Sequence, residues 1–124
     1  MLIDENLTDL IIGKAMEVHS SLGPGLLESV YEACLAYELT DVGLYIERQK
    51  ILPVRYKNIL LDDGLRMDMV VDNRVVIELK CVEKILPVHE AQLYTYLKLS
   101  GYKVGLLFNF YTRYLKDGMK RIVM

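Results

Sequence analysis

Cysteine, basic charge and long apolar runs are all scarce in this chain, and each scarcity removes a class of protein. The two cysteines, Cys34 and Cys81, fit neither a paired metal motif nor a disulfide framework. They read as reduced, part-buried small residues, which points to a reducing compartment. No apolar run follows a basic N-terminal segment, so no secretory signal is expected. No uninterrupted apolar stretch nears the roughly 18 residues of a membrane span. A cytoplasmic protein away from membranes is expected. The formal net charge is -2 and no basic run occurs. That argues against a protein held on nucleic acid by bulk charge, because such binding rests on Lys and Arg displacing counterions. Repeats, low-complexity segments and long linkers are absent too.

What is present suffices for one domain over residues 1–124. At 52% hydrophobic, the chain can bury a core without disulfides or a structural metal. Leu7, Ile11, Ala15, Val18 and Leu22 recur at helical spacing over 7–21, and Gly23 and Pro24 stop that helix. A second helix is expected over 26–41, with Leu27, Val30, Tyr31, Cys34 and Leu35 inward. Residues 44–57 read as a strand bent at Pro53. Two more strands, 65–71 and 75–81, flank the turn residues Asp72-Asn73-Arg74. Pro87 suits the first turn of a helix over 87–99. The apolar run 103–110 suits a strand buried on both faces, and 119–124 reads as a short last strand. The strand-helix-strand unit from 75 to 110 implies a parallel crossover, whereas the strands before it are joined by short turns and should be antiparallel. The fold class is therefore α/β, a mixed sheet flanked by helices, in the order α-α-β-β-β-α-β with a further short strand.

The stretch RMDMVVDNRVVIELK, residues 66–80, carries charges where a sheet should be dry. Val75, Val76 and Ile77 are consecutive, so both faces are covered near the start of that strand. Glu78 and Lys80 then point to one face, since alternate residues share a side. Taken alone they make an ordinary surface pair. Asp68 changes this reading, because it lies across the turn at nearly the matching distance. Two carboxylates on neighbouring strands can hold a divalent cation; without one they repel, and one tends to stay protonated. The register decides the matter. A two-residue loop would put Asp68 and Glu78 on opposite faces, and only an odd-length loop or a bulge puts them together.

The pair MD at 67–68 followed by IELK at 77–80 resembles the PD-(D/E)xK nuclease motif, with Met67 in the place of its proline. Gly25, Glu28 and Tyr31 in GLLESVY match the signature of the GxxExxY protein family within that superfamily, and Gln92 and Tyr96 in QLYTY match the QxxxY element of exonuclease-like members. The resemblance spans 25–96 with its elements in the expected order. It implies a restriction-endonuclease-like fold, a magnesium or manganese site, and phosphodiester cleavage of nucleic acid, with no substrate named. By the same resemblance Asp68, Glu78 and Glu28 are the metal ligands, joined by the Leu79 carbonyl. Lys80 orients the water or stabilises transition-state charge, and Gln92 and Tyr96 border the site against substrate. Glu28 also has a plainer reading, as a favourable acid in a first helical turn, and Tyr96 as core with Gln92 at its polar edge. His89 reads as a helix-start or surface residue, His19 as structural, and the nine tyrosines as core or interface and not as a stacking platform.

Two functions follow. One is a metal-dependent nuclease; the other is a weak or inactive nuclease-fold binding module, or a subunit of a larger nucleic-acid-processing assembly. Intact Asp68, Glu78 and Lys80 favour the first. The acidic balance and the lack of an appended domain favour the second. Either way nucleic-acid binding should be weak, with Lys50, Arg55, Lys57, Lys116, Lys120 and Arg121 available for a basic rim. A small domain rich in aromatic residues leaves room for a homodimer.

Overall fold

The structure, a computed structural model, describes residues 3–124. In chain order the elements are α1 (Glu5–Leu22), α2 (Glu28–Asp41), β1 (Ile46–Tyr56), β2 (Ile59–Val71), β3 (Val75–Lys80), α3 (Pro87–Ser100), β4 (Val104–Asn109), a 3-10 turn (Leu115–Gly118) and β5 (Met119–Val123). The strands form one sheet in the order β1-β2-β3-β4-β5. Only β3 and β4 run parallel, joined through α3; the other neighbours are antiparallel. This is the mixed, helix-flanked sheet that the element order implied. No helix among the described residues is long and apolar enough to cross a membrane.

The two sheet faces carry separate cores. Val75, Ile77 and Leu79 pack with Ile11, Ala15, Tyr31 and Leu35 of α1 and α2. Val76 points the other way, against Leu93 and Leu97 of α3. This two-sided cover is why β3 reads as a continuous apolar run. Gly105 lets α3 sit down on β4, since a Cβ there would lie 2.8 Å from Leu93 Cδ1.

Three expectations need correction. In α2, Leu27 and Val30 are exposed, and the inward stripe is Tyr31, Glu32, Leu35, Ala36 and Leu39. Periodicity orders residues around a helix but leaves the angle of the stripe to whatever covers it. Leu22, at the end of α1, is exposed for the same reason. Strand β2 begins at Ile59 rather than 65, because residues 59–61 pair with 54–56 across a tight Lys57–Asn58 turn. Pro53 does mark a register shift, between Leu52 and Val54. Of the nine tyrosines, Tyr31 is fully buried, whereas Tyr37, Tyr45, Tyr56, Tyr94, Tyr111 and Tyr114 are exposed.

Candidate active site

The β2–β3 turn sets the site. Asp72 and Asn73 both adopt left-handed backbone, φ 51° and 55°, and Arg74 N–H donates to the Val71 carbonyl at 2.9 Å. Such a turn would ordinarily pair Val71 with Arg74. Instead Val71 pairs with Val75, Val70 with Val76 and Met69 with Ile77, so Arg74 is an extra, bulged residue. That register carried one step further sets Asp68 opposite Glu78, as a shared site requires. There the backbone ladder stops and side chains replace it. Asp68 N–H donates to Glu78 Oε2 at 2.8 Å, and Leu79 N–H donates to Asp68 Oδ2 at 2.9 Å. Each carboxylate spends one oxygen on the neighbouring strand, and Asp68 Oδ1 in addition takes a long hydrogen bond from Gln49 Nε2 at 3.4 Å.

Strand β2 also turns over at Asp68. Leu65 and Met67 face the α3 core, whereas Met69 and Val71 face the α1/α2 core, although residues two apart normally share a face. Across from Asp68, between the pairs Arg48–Met69 and Lys50–Met67, stands Gln49. Its φ of 49° is left-handed, a conformation that costs a non-glycine residue on the order of 1 kcal/mol or more. The kink aims its amide at two acids: Nε2 donates to Glu32 Oε1 at 2.6 Å and lies 3.4 Å from Asp68 Oδ1. Glu32 is buried and also accepts from Arg48 Nε at 3.0 Å.

On the other side, Lys80 Nζ donates to Gln92 Oε1 at 2.9 Å, and Gln92 Nε2 donates to Tyr96 Oη at 3.0 Å. The four-residue spacing on α3 puts Gln92 and Tyr96 on one face. They line, with Lys80 and His89, a cleft of about 460 Å³. His89 Nδ1 accepts the Leu86 N–H at 2.9 Å, so it caps the start of α3. Its other ring nitrogen is not used by that bond.

The GxxExxY residues have distinct tasks. Gly25 sits at φ 104°, which favours glycine. Tyr31 Oη donates to the Gly23 carbonyl and accepts the Leu26 N–H, while its ring stacks on Phe110 with centroids 4.5 Å apart. Tyr31 thus pins the link whose last residues lead into Glu28, the first residue of α2. The Glu28 carboxylate stands at the exposed rim, where the Lys80 charge and the Cys81 backbone favour its ionised form and the Asp68 charge opposes it. The carbonyl of Lys80 accepts from Phe110 N–H on the β4 side. By strand alternation the Leu79 carbonyl faces the opposite, β2 side, beside Asp68. His19, as expected, is structural: buried, it donates through Nε2 to the Thr112 carbonyl at 2.7 Å.

Residues 5–122 match the family model described as the PD-(D/E)XK nuclease superfamily. The chain belongs to that superfamily. No curated protein matches it. Among solved structures it is similar to an alkaline exonuclease from Laribacter hongkongensis, 15% identical, with 94% of this chain and 81% of that chain covered and a TM-score of 0.48. It is also similar to SSO0001, 19% identical, covering 98% of this chain and 79% of that chain, with a TM-score of 0.46.

Within this superfamily fold the acids stand under electrostatic stress. Burial, then the neighbouring Asp68 charge, pushes the Glu78 carboxyl from its ordinary 4.5 up to about 8. Burial likewise raises Asp68. Partial burial and then Asp68 raise Glu28. The Tyr96 hydroxyl is raised by burial and by Glu78. Among the described residues no group of three or more His, Cys, Asp or Glu could cage a metal ion. The donor set nevertheless suits a cation that keeps its waters. Magnesium is typically held by one or two carboxylates plus waters and substrate oxygens, and Glu78 Oε1, Asp68 Oδ1 with its long 3.4 Å bond from Gln49, and the Leu79 carbonyl could offer such a set.

Glu32, Arg48 and Gln49 were not among the expected site residues. Glu32 lies one helical turn beyond Glu28, a spacing that puts both on one face and could have flagged it. Nothing in the sequence marks Gln49. The expected basic rim is partly spent elsewhere: Lys50 pairs with Glu47 at 2.8 Å, and the Arg121 guanidinium donates to the Ile3 carbonyl.

Proposed function

We propose that the chain is a metal-dependent nuclease of the GxxExxY kind, residues 1–124 forming one catalytic domain that hydrolyses phosphodiester bonds of DNA or RNA. The observation that carries this reading is the bulged hairpin that sets Asp68 against Glu78, each spending only one carboxylate oxygen on the other's strand, and Lys80 two residues further along the same strand. Asp68, Glu78, the Leu79 carbonyl and Glu28 from the rim would hold magnesium or manganese. A cation at that place supplies polarisation of a phosphoryl oxygen and acidification of a water.

The remaining steps belong to the chain. Asp68 and Glu78 are fixed by the backbone N–H groups of Leu79 and Asp68, so neither needs reorganising when substrate arrives. Lys80 holds a positive charge beside the developing negative charge, and Gln92 keeps its ammonium from folding onto the carboxylates. Tyr96, reached through Gln92, borders the cleft where substrate would lie. The reading also places the protein in a reducing, cytoplasmic setting, in keeping with free thiols at Cys34 and Cys81.

The test is a cleavage assay over single- and double-stranded DNA and RNA with magnesium or manganese, with Lys80→Ala purified in parallel. Cleavage that survives this substitution unchanged points to a contaminant and ends the proposal, as does no cleavage of any substrate. The binding-module alternative draws on the net charge of -2. Manganese separates the two, since a ligand at 100 times its Kd stabilises the native state by about 2.7 kcal/mol. A melting temperature unmoved by manganese favours the module.

A further inference from the structure

Two features at this end of the sheet have no part in the chemistry above. Apolar side chains stand open to water around the carboxylates: Leu27, just before Glu28, is 73% exposed, and Val88, beside the cleft, 64%. Beyond the Gly23–Gly25 link lies a groove of about 400 Å³, between the C-terminal end of α1 and the loop after β4. Met16 and Pro24 give it an apolar side, and Arg113, Tyr114 and Lys116 form the opposite wall.

The groove is tied to the candidate active site on both flanks. Phe110 N–H donates to the Lys80 carbonyl at 2.9 Å, so the chain reaches Arg113 three residues after touching Lys80. On the other flank, Tyr31 holds Gly23, a groove residue, within one short link of Glu28. Tyr114 is 53% exposed, with the Arg113 guanidinium 5.3 Å from its ring centroid. Among the described residues neither Arg113 nor Lys116 takes part in an ion pair. The Nε2 of His19 is committed to the Thr112 carbonyl.

A half-exposed aromatic ring with a guanidinium on one face, an apolar wall and two cations outside any ion pair match a nucleic-acid strand whose bases are unpaired. Bases stack on aromatic rings irrespective of sequence, and a few cations track the phosphates. A duplex hides its base faces and is held mainly through phosphate contacts, which a chain of net charge -2 supplies poorly. We propose that this groove binds single-stranded nucleic acid, with a base against Tyr114 and adjacent phosphates on Arg113 and Lys116, and leads the strand past Gly25 to the Asp68–Glu78 pair. The proposal deepens the nuclease reading and rests on it only for where the strand leads.

Fluorescence anisotropy tests it, using short labelled single-stranded DNA and RNA and their matched blunt duplexes, in EDTA so that no cutting occurs. Single strands are expected to bind roughly tenfold tighter than duplexes. Tyr114→Ala should weaken single-strand binding by about fivefold or more while Tyr114→Phe retains it. Arg113→Ala with Lys116→Ala should lower the salt slope by about 1.4, at roughly 0.7 per phosphate contact. All three side chains are exposed, so the variants should fold, as melting curves would verify. Duplex binding as tight as single-strand binding overturns the proposal. So does wild-type binding by the Tyr114→Ala and doubly substituted proteins, or no measurable binding to any strand. Cleavage by Lys80→Ala and wild type is scored separately. A protein that binds single strands through this groove but cuts nothing sinks the nuclease reading and leaves this one standing; one that cuts without using the groove does the reverse.

Discussion

The two halves of β2 differ in what covers them. In the inner half, Met67, Met69, Val70 and Val71 are 0% exposed, and Asp68 sits among them. In the outer half, Ile59, Leu60 and Leu61 are 57%, 49% and 48% exposed. A charged residue, Asp68, thus lies in the drier half, and an apolar triplet stands beside the exposed Asp62 and Asp63 in the wetter one. The difference is in what covers the strand. Helices pack on both faces of the inner half and β3 pairs with its end, whereas the outer half has only β1 for a neighbour. Exposed apolar side chains are common and cost little. A carboxylate among buried side chains is expensive, and Asp68 persists here because the Leu79 N–H and the Gln49 amide hold it. The expense falls where the site's chemistry is proposed.

The sharpest way to test that comparison is to remove charge from the inner half. Lys80→Ala should lower the rate by about a hundredfold to a thousandfold while manganese still raises the melting temperature. Asp68→Ala should lose both rate and the manganese response. Equal loss of metal response in the two variants would merge roles that the geometry separates.

Glu78 gives the next effect, and its sign can be worked out. In the unfolded chain this carboxyl releases its proton near 4.5, whereas in the fold it keeps it until about 8. Folded protein therefore binds more protons in that window, so the metal-free protein loses stability as pH rises from about 4.5 to about 8 and levels off above. Glu78→Gln removes the loss, and at pH 8 should melt higher than wild type by on the order of 5 °C. A metal-free wild type whose melting temperature holds level across that range would contradict the buried, charge-stressed Glu78 described here.

A smaller effect belongs to Gln49. Gln49→Gly relieves a left-handed backbone, a gain of up to about 1 kcal/mol, but frees Asp68 and Glu32 from its amide. Activity should fall by roughly tenfold while the melting temperature holds or rises. Activity and stability falling together would make Gln49 a packing residue only. The smallest effect belongs to the outer half of β2: Leu60→Lys should change stability by less than about 0.5 kcal/mol and leave activity alone. A large loss there would mean that the outer hairpin is covered in the working protein.

Much of the fold is legible in residue spacing. Val75 to Ile77 announce a strand covered on both sides, Pro53 a break in its strand, and Gly23-Pro24 a helix end, because each depends on local backbone sterics or on periods of 2 and 3.6. The start of β2 at Ile59 is less legible, because residues 59–64 become strand only by pairing with β1. The inward face of α2 is also missed. Leu27 and Val30 satisfy the helical period as well as Leu35 and Leu39 do, and only the position of the sheet beneath selects between them.

The candidate site divides along the same line. Chain geometry alone puts Glu78 and Lys80 on one strand face, Gln92 and Tyr96 on one helix face, and Glu28 between the turn glycine Gly25 and the anchoring Tyr31. Those relations hold over a few residues, where covalent geometry leaves little choice. Tertiary structure decided whether they meet. The bulged Arg74 set Asp68 opposite Glu78 rather than one step out of phase. The left-handed kink at Gln49 drew Glu32 and Asp68 onto one amide, although the three residues lie on three different elements. Register and convergence depend on energies summed over the whole sheet, so no local stretch of sequence states them.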